Sequence, residues 1–360
     1  MTLEQFFSTP AYQVEKERDL FIMQEVIERM ADEKPLQGVS VVFGHLIVMN
    51  AMTIVEALWR GGAQIFPCSL FHNASMDALC AELAEYGLPV LPIAEAARQG
   101  DIFLDIAGAL GQIRTPRAAV EVTRTGELFY QEINCPVISI DRARIKHFED
   151  FMGTGESFQR GWRQLRPDDP LPGKRVVQFG YGKVGRGVAY HNRRAGMDVT
   201  VVDISASARQ RAAAEGFNVL EAAPTRTLQD ALASADIVLG VTGVPGAVGR
   251  IVPAEWLRAG KAVLTVMGYD EFGPDIPETE ILGGRMPINF CLKRPTLNRY
   301  MDPTLTAQAL AIEELVRRPE GYPPGIHPLP AAIDGWLLDK WRALWPDEDL
   351  TGVEAELGIG

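Results

Sequence analysis

Cysteine is sparse in this 360-residue chain. Cys68, Cys80, Cys135 and Cys291 are scattered, with no C-x-x-C pair among them. That spacing signals neither a zinc site nor a disulfide framework, so the thiols read as reduced core residues and no metal is expected. Long apolar runs are also missing. The longest candidate, Val39 to Met52, is interrupted by His45 and Asn50 and is shorter than the ~20 residues that span a bilayer. No basic stretch followed by an apolar one opens the chain, so no secretory signal is read and a cytoplasmic location is expected. Positive charge is in deficit: 35 Lys and Arg stand against 47 Asp and Glu, a net charge of −12. An average field of that sign repels a phosphate backbone, which disfavours nucleic-acid partners, although a local basic patch is compatible with it.

With 47% hydrophobic and 23% charged residues, the composition is that of a globular protein, and the length exceeds one ordinary core, so two domains are expected. Apolar spacing gives a charged amphipathic helix over 11–34, a strand at Val39–Phe43, a helix at Val48–Gly61 and a strand at Gln64–Pro67. A helix at Ser75–Tyr86 follows, then strands at Pro89–Pro92, Ile102–Asp105 and Val137–Ile140, and a helical stretch over Ala143–Gln164. The proline-rich segment RPDDPLPG (166–173) reads as a junction. The pattern then restarts with strands at Arg175–Phe179, Asp198–Val202, Ile237–Gly240 and Ala262–Val266. Helices are expected at Val184–Ala195, Ala206–Glu215, Ala254–Leu257, Thr304–Val316 and Asp334–Leu344. Strands alternating with helices imply an α/β fold made of two doubly wound parallel sheets.

The most specific motif is Gly180-Tyr-Gly182-Lys-Val-Gly185, which follows an apolar strand and opens a helix. A lone G-x-G-x-x-G is weak, but this context is what a dinucleotide fingerprint requires. Gly180 makes the tight turn, Gly182 admits a pyrophosphate, and Gly185 lets the helix pack on the strand. Lys183 and Val184 begin that helix, whose N-terminus offers unpaired N–H groups to phosphate. Asp203 closes the next strand, 18 residues after Gly185. A carboxylate there accepts from ribose hydroxyls and repels a 2′-phosphate, favouring NAD over NADP. A second turn, Thr242-Gly243, follows Gly240 and approaches the cofactor from the other side of the switch point. The bland alternative is a glycine-rich turn beside an ordinary strand-end aspartate.

GKRVVQFGYGKVGRGVA, the Thr242-Gly243 turn and VMGYDEFGPDI, which contains Gly268 and Tyr269, resemble S-adenosylhomocysteine hydrolase. TIVEALWRGGAQIF, FLDIAGAL, VTRTG, KHFEDFMGTGES and PPGIHPLPAAID resemble further segments of that family in order, from about residue 39 to residue 359. The resemblance implies a substrate-binding domain over 1–155 with a return segment at 320–345, a Rossmann NAD-binding domain over 156–319, and a short tail at 346–360. It also implies a redox cycle on a nucleoside: NAD⁺ oxidises the 3′-hydroxyl, the 5′ substituent leaves after C4′–H is acidified, water adds, and the alcohol is restored. A homo-oligomer, dimer or tetramer, goes with the family, although its C-terminal extension has no counterpart here, where the chain stops at Leu357-Gly-Ile-Gly.

Departures from the family pattern concentrate in the substrate half. Leu46 stands where the family has histidine, with His45 adjacent. Ile106 replaces the second of two aspartates, of which Asp105 is kept. Val122 replaces a glutamate that Glu121 precedes, and Ile145 replaces the catalytic lysine, with Lys146 next to it. Glu149 replaces an aspartate, and Tyr269 a histidine near the nicotinamide. The catalytic candidates are therefore His45, Asp105, Lys146, Glu149 and Tyr269. Asn50, Glu121 and His327 are candidates for substrate binding, and Thr123 and Thr125 for the cofactor. Lys146 and Glu149 are expected on one helix face; a solvated ion pair is the competing reading, as turn formation is for the threonines and aromatic packing for Tyr269.

Parts that hold NAD persist while parts that activate water change. The expected activity is therefore an NAD-dependent elimination on an adenine nucleoside, that of a dehydratase or lyase. The alternatives are a true hydrolase, a non-catalytic regulatory relative, and a plain hydroxy-acid dehydrogenase.

Overall fold

The computed structural model describes residues 1–259 and 262–359. The chain forms two compact units: Met1–Lys146 together with the chain from Asn298 onward, and His147–Leu297. The excursion into the second unit thus starts before residue 156 and ends before 319, because the Asn298–Arg317 helix already packs within the first unit. Among the described residues no helix is long and apolar enough to cross a membrane.

The first unit carries six strands: β1 (Ser40–His45), β2 (Gln64–Ser69), β3 (Ile102–Asp105), β4 (Ala118–Glu121), β5 (Pro136–Ser139) and β11 (Gly325–Pro328), in the order β11-β5-β4-β3-β1-β2. All pairings are parallel. The chain leaves β1 toward β2 and returns on the other side as β3, so the topological switch point lies between β1 and β3. In open parallel sheets that crevice, beyond the carboxyl ends of the strands, is where ligands bind.

The second unit has β6 (Arg175–Phe179), β7 (Asp198–Asp203), β8 (Asn218–Glu221), β9 (Ile237–Gly240) and β10 (Val263–Val266), also parallel, in the order β10-β9-β6-β7-β8. Its switch point lies between β6 and β9. Side chains alternate across this sheet with the period of two that a strand imposes. Val176, Ile237 and Leu239 join Phe158, Trp162 and Val188 in one core. Val177, Phe179 and Val238 join Leu228, Leu232 and Leu257 in the other. Both faces are covered, which is why these strands read as continuous apolar runs.

Several expected elements change for identifiable reasons. The 11–34 helix is two helices, Pro10–Lys16 and Phe21–Glu33, broken where Asp19 turns to φ 61°. The second restarts because the buried Asp302 carboxylate accepts the N–H groups of Ile22 and Met23 at 2.8 and 2.9 Å, a cap supplied from far along the chain. Pro89–Pro92 forms no strand: its prolines lack N–H donors, and Leu91 alone donates, to the Pro67 carbonyl at 2.8 Å. The Asn298–Arg317 helix runs through Pro303. A proline frees the carbonyl four residues earlier, and Trp341 Nε1 donates to that carbonyl, on Arg299, at 2.6 Å.

The 143–164 stretch is not one α-helix. Phe148–Thr154 winds as a π-helix before the α-helix Gly155–Leu165. This wide turn lies against the Lys183–Arg194 helix, and a Cβ on Gly187 would stand 2.2 Å from the Phe151 carbonyl oxygen. Helix propensity alone favours alanine over glycine by about 1 kcal/mol. Gly187→Ala is nevertheless expected to destabilise the protein by ~2 kcal/mol or more, because backbone has to move. Urea denaturation of the variant and the parent checks the sign.

Candidate functional site

At the end of β6 the glycine motif forms a turn that tolerates no side chain at two of its positions. Gly180 has φ 103°, and a Cβ there would lie 2.5 Å from the Val241 carbonyl oxygen. A Cβ on Gly185 would lie 2.4 Å from the Gly180 carbonyl oxygen. Gln178, buried in β6, ties both ends of the turn together, its Nε2 donating to the Gly180 and Gly185 carbonyls at 3.0 and 2.8 Å. Gly182, the N-cap of the Lys183–Arg194 helix, has open space where a Cβ would be. That space, at the N-terminus of a helix with no side-chain cap, fits a pyrophosphate. Lys183 pairs with Asp150 at 3.6 Å, and Val184 packs at the edge of the core.

Asp203, half-buried at the end of β7, accepts the N–H groups of Tyr181 and Ser205, both at 2.8 Å. It holds the turn while standing where an adenosine ribose would lie. On the β9 side, the fully buried Glu271 accepts from the Thr242 and Gly243 backbone, both at 2.9 Å. Burial raises its pKa, and those donors oppose the shift. Gly243 has φ 69°, and a Cβ on Gly268 would stand 3.9 Å from its Cα. Tyr269 follows, half-buried, in the loop after β10. Glu149 lies in the π-helix of this same unit, whereas Lys146 belongs to the other unit. The helix expected over the pair is π-wound from Phe148, so Glu149 lies in a wider turn than an α-helix gives.

In the first unit His45 ends β1 at the switch point and is buried. Its ring stacks on Phe43 with centroids 5.2 Å apart, and Nδ1 lies 3.1 Å from the Leu46 carbonyl. A carbonyl only accepts, so Nδ1 carries the proton and Nε2 is left as an acceptor. Burial, with the nearby charge of Lys146, lowers the His45 pKa to about 4, although the Leu46 carbonyl and the facing Gln308 amide pull it upward. Lys146 is itself buried. Gly44 admits the neighbouring loop, since a Cβ there would stand 2.7 Å from Leu110 Cδ1.

That loop is built by two buried carboxylates facing each other across β3 and β4, where Asp105 and Glu121 are register partners. Asp105 accepts from the N–H groups of Ile106 (2.9 Å), Leu110 (3.0 Å) and Gly111 (3.0 Å) and from the Tyr130 hydroxyl (2.7 Å). Glu121 accepts from Ala107, Gly108, Val122 and Thr123 N–H groups at 2.8–3.1 Å and from Thr123 Oγ1 at 2.7 Å. Burial and the Asp105 charge push Glu121 up to about 8, against the pull of the Thr123 and Gly108 donors. Ala107 is held at φ 58°, a left-handed conformation uncommon without glycine. Both carboxylates thus hold their own loops.

Thr123 caps the Arg124–Tyr130 helix, accepting from Gly126 N–H at 3.1 Å, and Thr125 is exposed on that helix. Asn50 donates to Asn298 Oδ1 at 3.1 Å. His327 lies on the edge strand β11, its Nε2 2.7 Å from the Pro323 carbonyl, so its ring serves its own loop. The structure therefore brings His45 and Lys146 together, and separately Asp105, Glu121 and Thr123. Sequence reading missed Gln178, Glu271, Tyr130 and Gln308. Among the described residues no cluster of metal-ligating side chains occurs.

The chain matches the family profile described as S-adenosyl-L-homocysteine hydrolase, NAD binding domain, over residues 151–276. The second unit is accordingly an NAD-binding domain. Over 382 aligned residues the chain is 24% identical to an adenosylhomocysteinase of Thermoplasma acidophilum, covering 88% of this chain and 89% of that one. It is 27% identical to the adenosylhomocysteinase of Gloeothece citriformis, covering 88% and 85%. It is 26% identical to an S-inosyl-L-homocysteine hydrolase of Methanopyrus kandleri, covering 87% and 85%.

Two outcomes are expected. Glu271→Ala leaves the Thr242 and Gly243 donors unpaired and loosens NAD⁺ binding by about tenfold or more, which calorimetric titration with NAD⁺ measures. For His45, an unfolded pKa of 6.5 against a folded value of about 4 means that protons favour the unfolded chain. Its contribution is intact above pH 6.5 and is lost as the pH falls toward 4, by at most roughly 3 kcal/mol. His45→Gln flattens that limb in urea melts run at neutral and acidic pH.

Proposed function

For a chain that belongs to the S-adenosylhomocysteine hydrolase superfamily and binds NAD, we propose a redox-assisted elimination on a nucleoside: transient oxidation of the sugar 3′-hydroxyl drives departure of the 5′ substituent. NAD, when bound, supplies reversible removal of hydride from the substrate. The remaining work falls to side chains. The observation that carries the proposal is the buried His45, at the switch point of the sheet that holds no dinucleotide turn, on which the charge of the buried Lys146 acts. His45, neutral with Nε2 as acceptor, receives a sugar hydroxyl; its low basicity makes it an orienting group rather than a strong base. Lys146 places its amine beside the alcohol that must lose a proton. Glu149 and Tyr269 are the candidates for moving the C4′ proton and for protonating the leaving atom. Asp105 and Glu121 position the loop over the sugar without touching it.

Ile106, Val122 and Ile145 are buried and apolar where the family resemblance implies charged groups. Their loss removes polar support for adding water to the alkene, which favours a lyase or dehydratase that stops at elimination. The names of the relatives favour a complete hydrolase equally well. Both reactions begin with the same oxidation and part only at the alkene. One relative's name carries inosine in place of adenosine, so the purine base is a second variable.

Rapid mixing of the NAD-loaded protein with a panel of adenine nucleosides, followed in the NADH absorbance band and by mass spectrometry, tests the proposal. The expected result is a rise that decays, with a nucleoside product that carries a 4′,5′-alkene and has released its 5′ substituent in protonated form. Release of homocysteine and intact adenosine from S-adenosylhomocysteine identifies the hydrolase instead. Accumulation of free NADH identifies a plain dehydrogenase. Lys146→Met is expected to slow the transient at least 100-fold with NAD content unchanged.

A further inference from the structure

Two buried side-chain oxygens in the first unit, one on a threonine and one on a glutamine, meet no partner at hydrogen-bonding geometry. Thr304 and Gln308 are 0% and 1% exposed, and Thr304 Oγ1 and Gln308 Oε1 have no hydrogen-bond partner. Both belong to the Asn298–Arg317 helix, one turn apart and so on one face. A helical threonine ordinarily can return its hydroxyl to the carbonyl four residues earlier; Thr304 does not. The Gln308 side chain faces the imidazole of His45, on which the Lys146 charge also acts.

Native interiors satisfy nearly all their buried polar groups, and an exception calls for a reason. Packing supplies none here, because methionine and valine of similar volume would fill the same space without stranding an oxygen. The chemistry of the face is specific. Gln308 Oε1 and His45 Nε2 are acceptors, the Thr304 hydroxyl both donates and accepts, and Lys146 donates. A carboxylate or phosphate would set oxygen against the two acceptors. A neutral ligand bearing several hydroxyls satisfies the Thr304 and Gln308 oxygens and suits their neighbours.

We propose that Thr304 and Gln308 are substrate-contacting residues that read the hydroxyls of a neutral, sugar-bearing ligand beside His45. The inference deepens the nucleoside reading above and rests on it for the identity of the ligand.

The test uses the full-length, NAD-loaded protein with Gln308→Met, Thr304→Val and Thr304→Ser, adenosine as the probe, and two readouts. The first is the melting temperature without adenosine. Removing a stranded buried oxygen raises it in the methionine and valine variants, whereas a structural role lowers it. The second is adenosine affinity by calorimetric titration. It is expected to weaken about tenfold or more in those two variants and to be retained in Thr304→Ser. Lower melting, or higher melting with unchanged affinity, overturns the proposal. If the parent ignores adenosine while both variants still melt higher, the nucleoside reading fails and the ligand-facing assignment of the pair stands.

Discussion

Every parallel strand hands its chain to a loop whose first N–H groups have no ladder to join. In both units a buried carboxylate gathers them. Asp105 and Glu121 do this after β3 and β4, Glu271 after β9, and Asp203 joins the loops after β6 and β7. Burying a charge is unfavourable unless donors surround it, and the raised pKa values of Asp105, Glu121 and Glu271 record that burial outweighs those donors. Glycine is dictated beside these groups. A Cβ on Gly126 would stand 2.1 Å from the Glu121 carboxyl carbon, and one on Gly240 2.8 Å from Glu271 Oε2. The loops at both switch points owe their shape to these acceptors.

This arrangement separates support from chemistry. In the first unit Asp105 and Glu121 bond to backbone, while His45 ends β1 at the switch point. Ile106, Val122 and Ile145 are buried as well. The NAD-binding unit keeps all three motif glycines and its strand-end aspartate, while the first unit keeps a parallel sheet of the same kind.

What was legible in the sequence was what local geometry dictates. Gly180, Gly182, Gly185 and Asp203 lie within one strand–turn–helix–strand unit, and steric limits on the turn make the spacing informative. The sheet class followed from the apolar runs. β4 escaped notice because AAVE is rich in alanine, a residue that favours helices, and β8 and β11 because edge strands are only half-buried. Glu271 sits 28 residues from the glycine it anchors, and Asp302 caps a helix 280 residues away; no periodicity announces such partners. The π-winding from Phe148 onward escaped notice because a π-helix and an α-helix share the same local composition. Gln308 reads as an ordinary helical residue in sequence, because only the fold brings it to face His45.

The order of the chain itself has a kinetic meaning. The first unit is interrupted: its sheet lacks β11, and its Phe21–Glu33 helix lacks the Asp302 cap, until the chain beyond residue 298 has been made. Residues 147–297 form an uninterrupted unit and are finished earlier on the ribosome. During synthesis the inserted unit is therefore the one able to fold first, while the older, N-terminal half waits with an open sheet edge at β5. In the growing polypeptide the dinucleotide domain precedes its partner in completion, although it follows it in sequence.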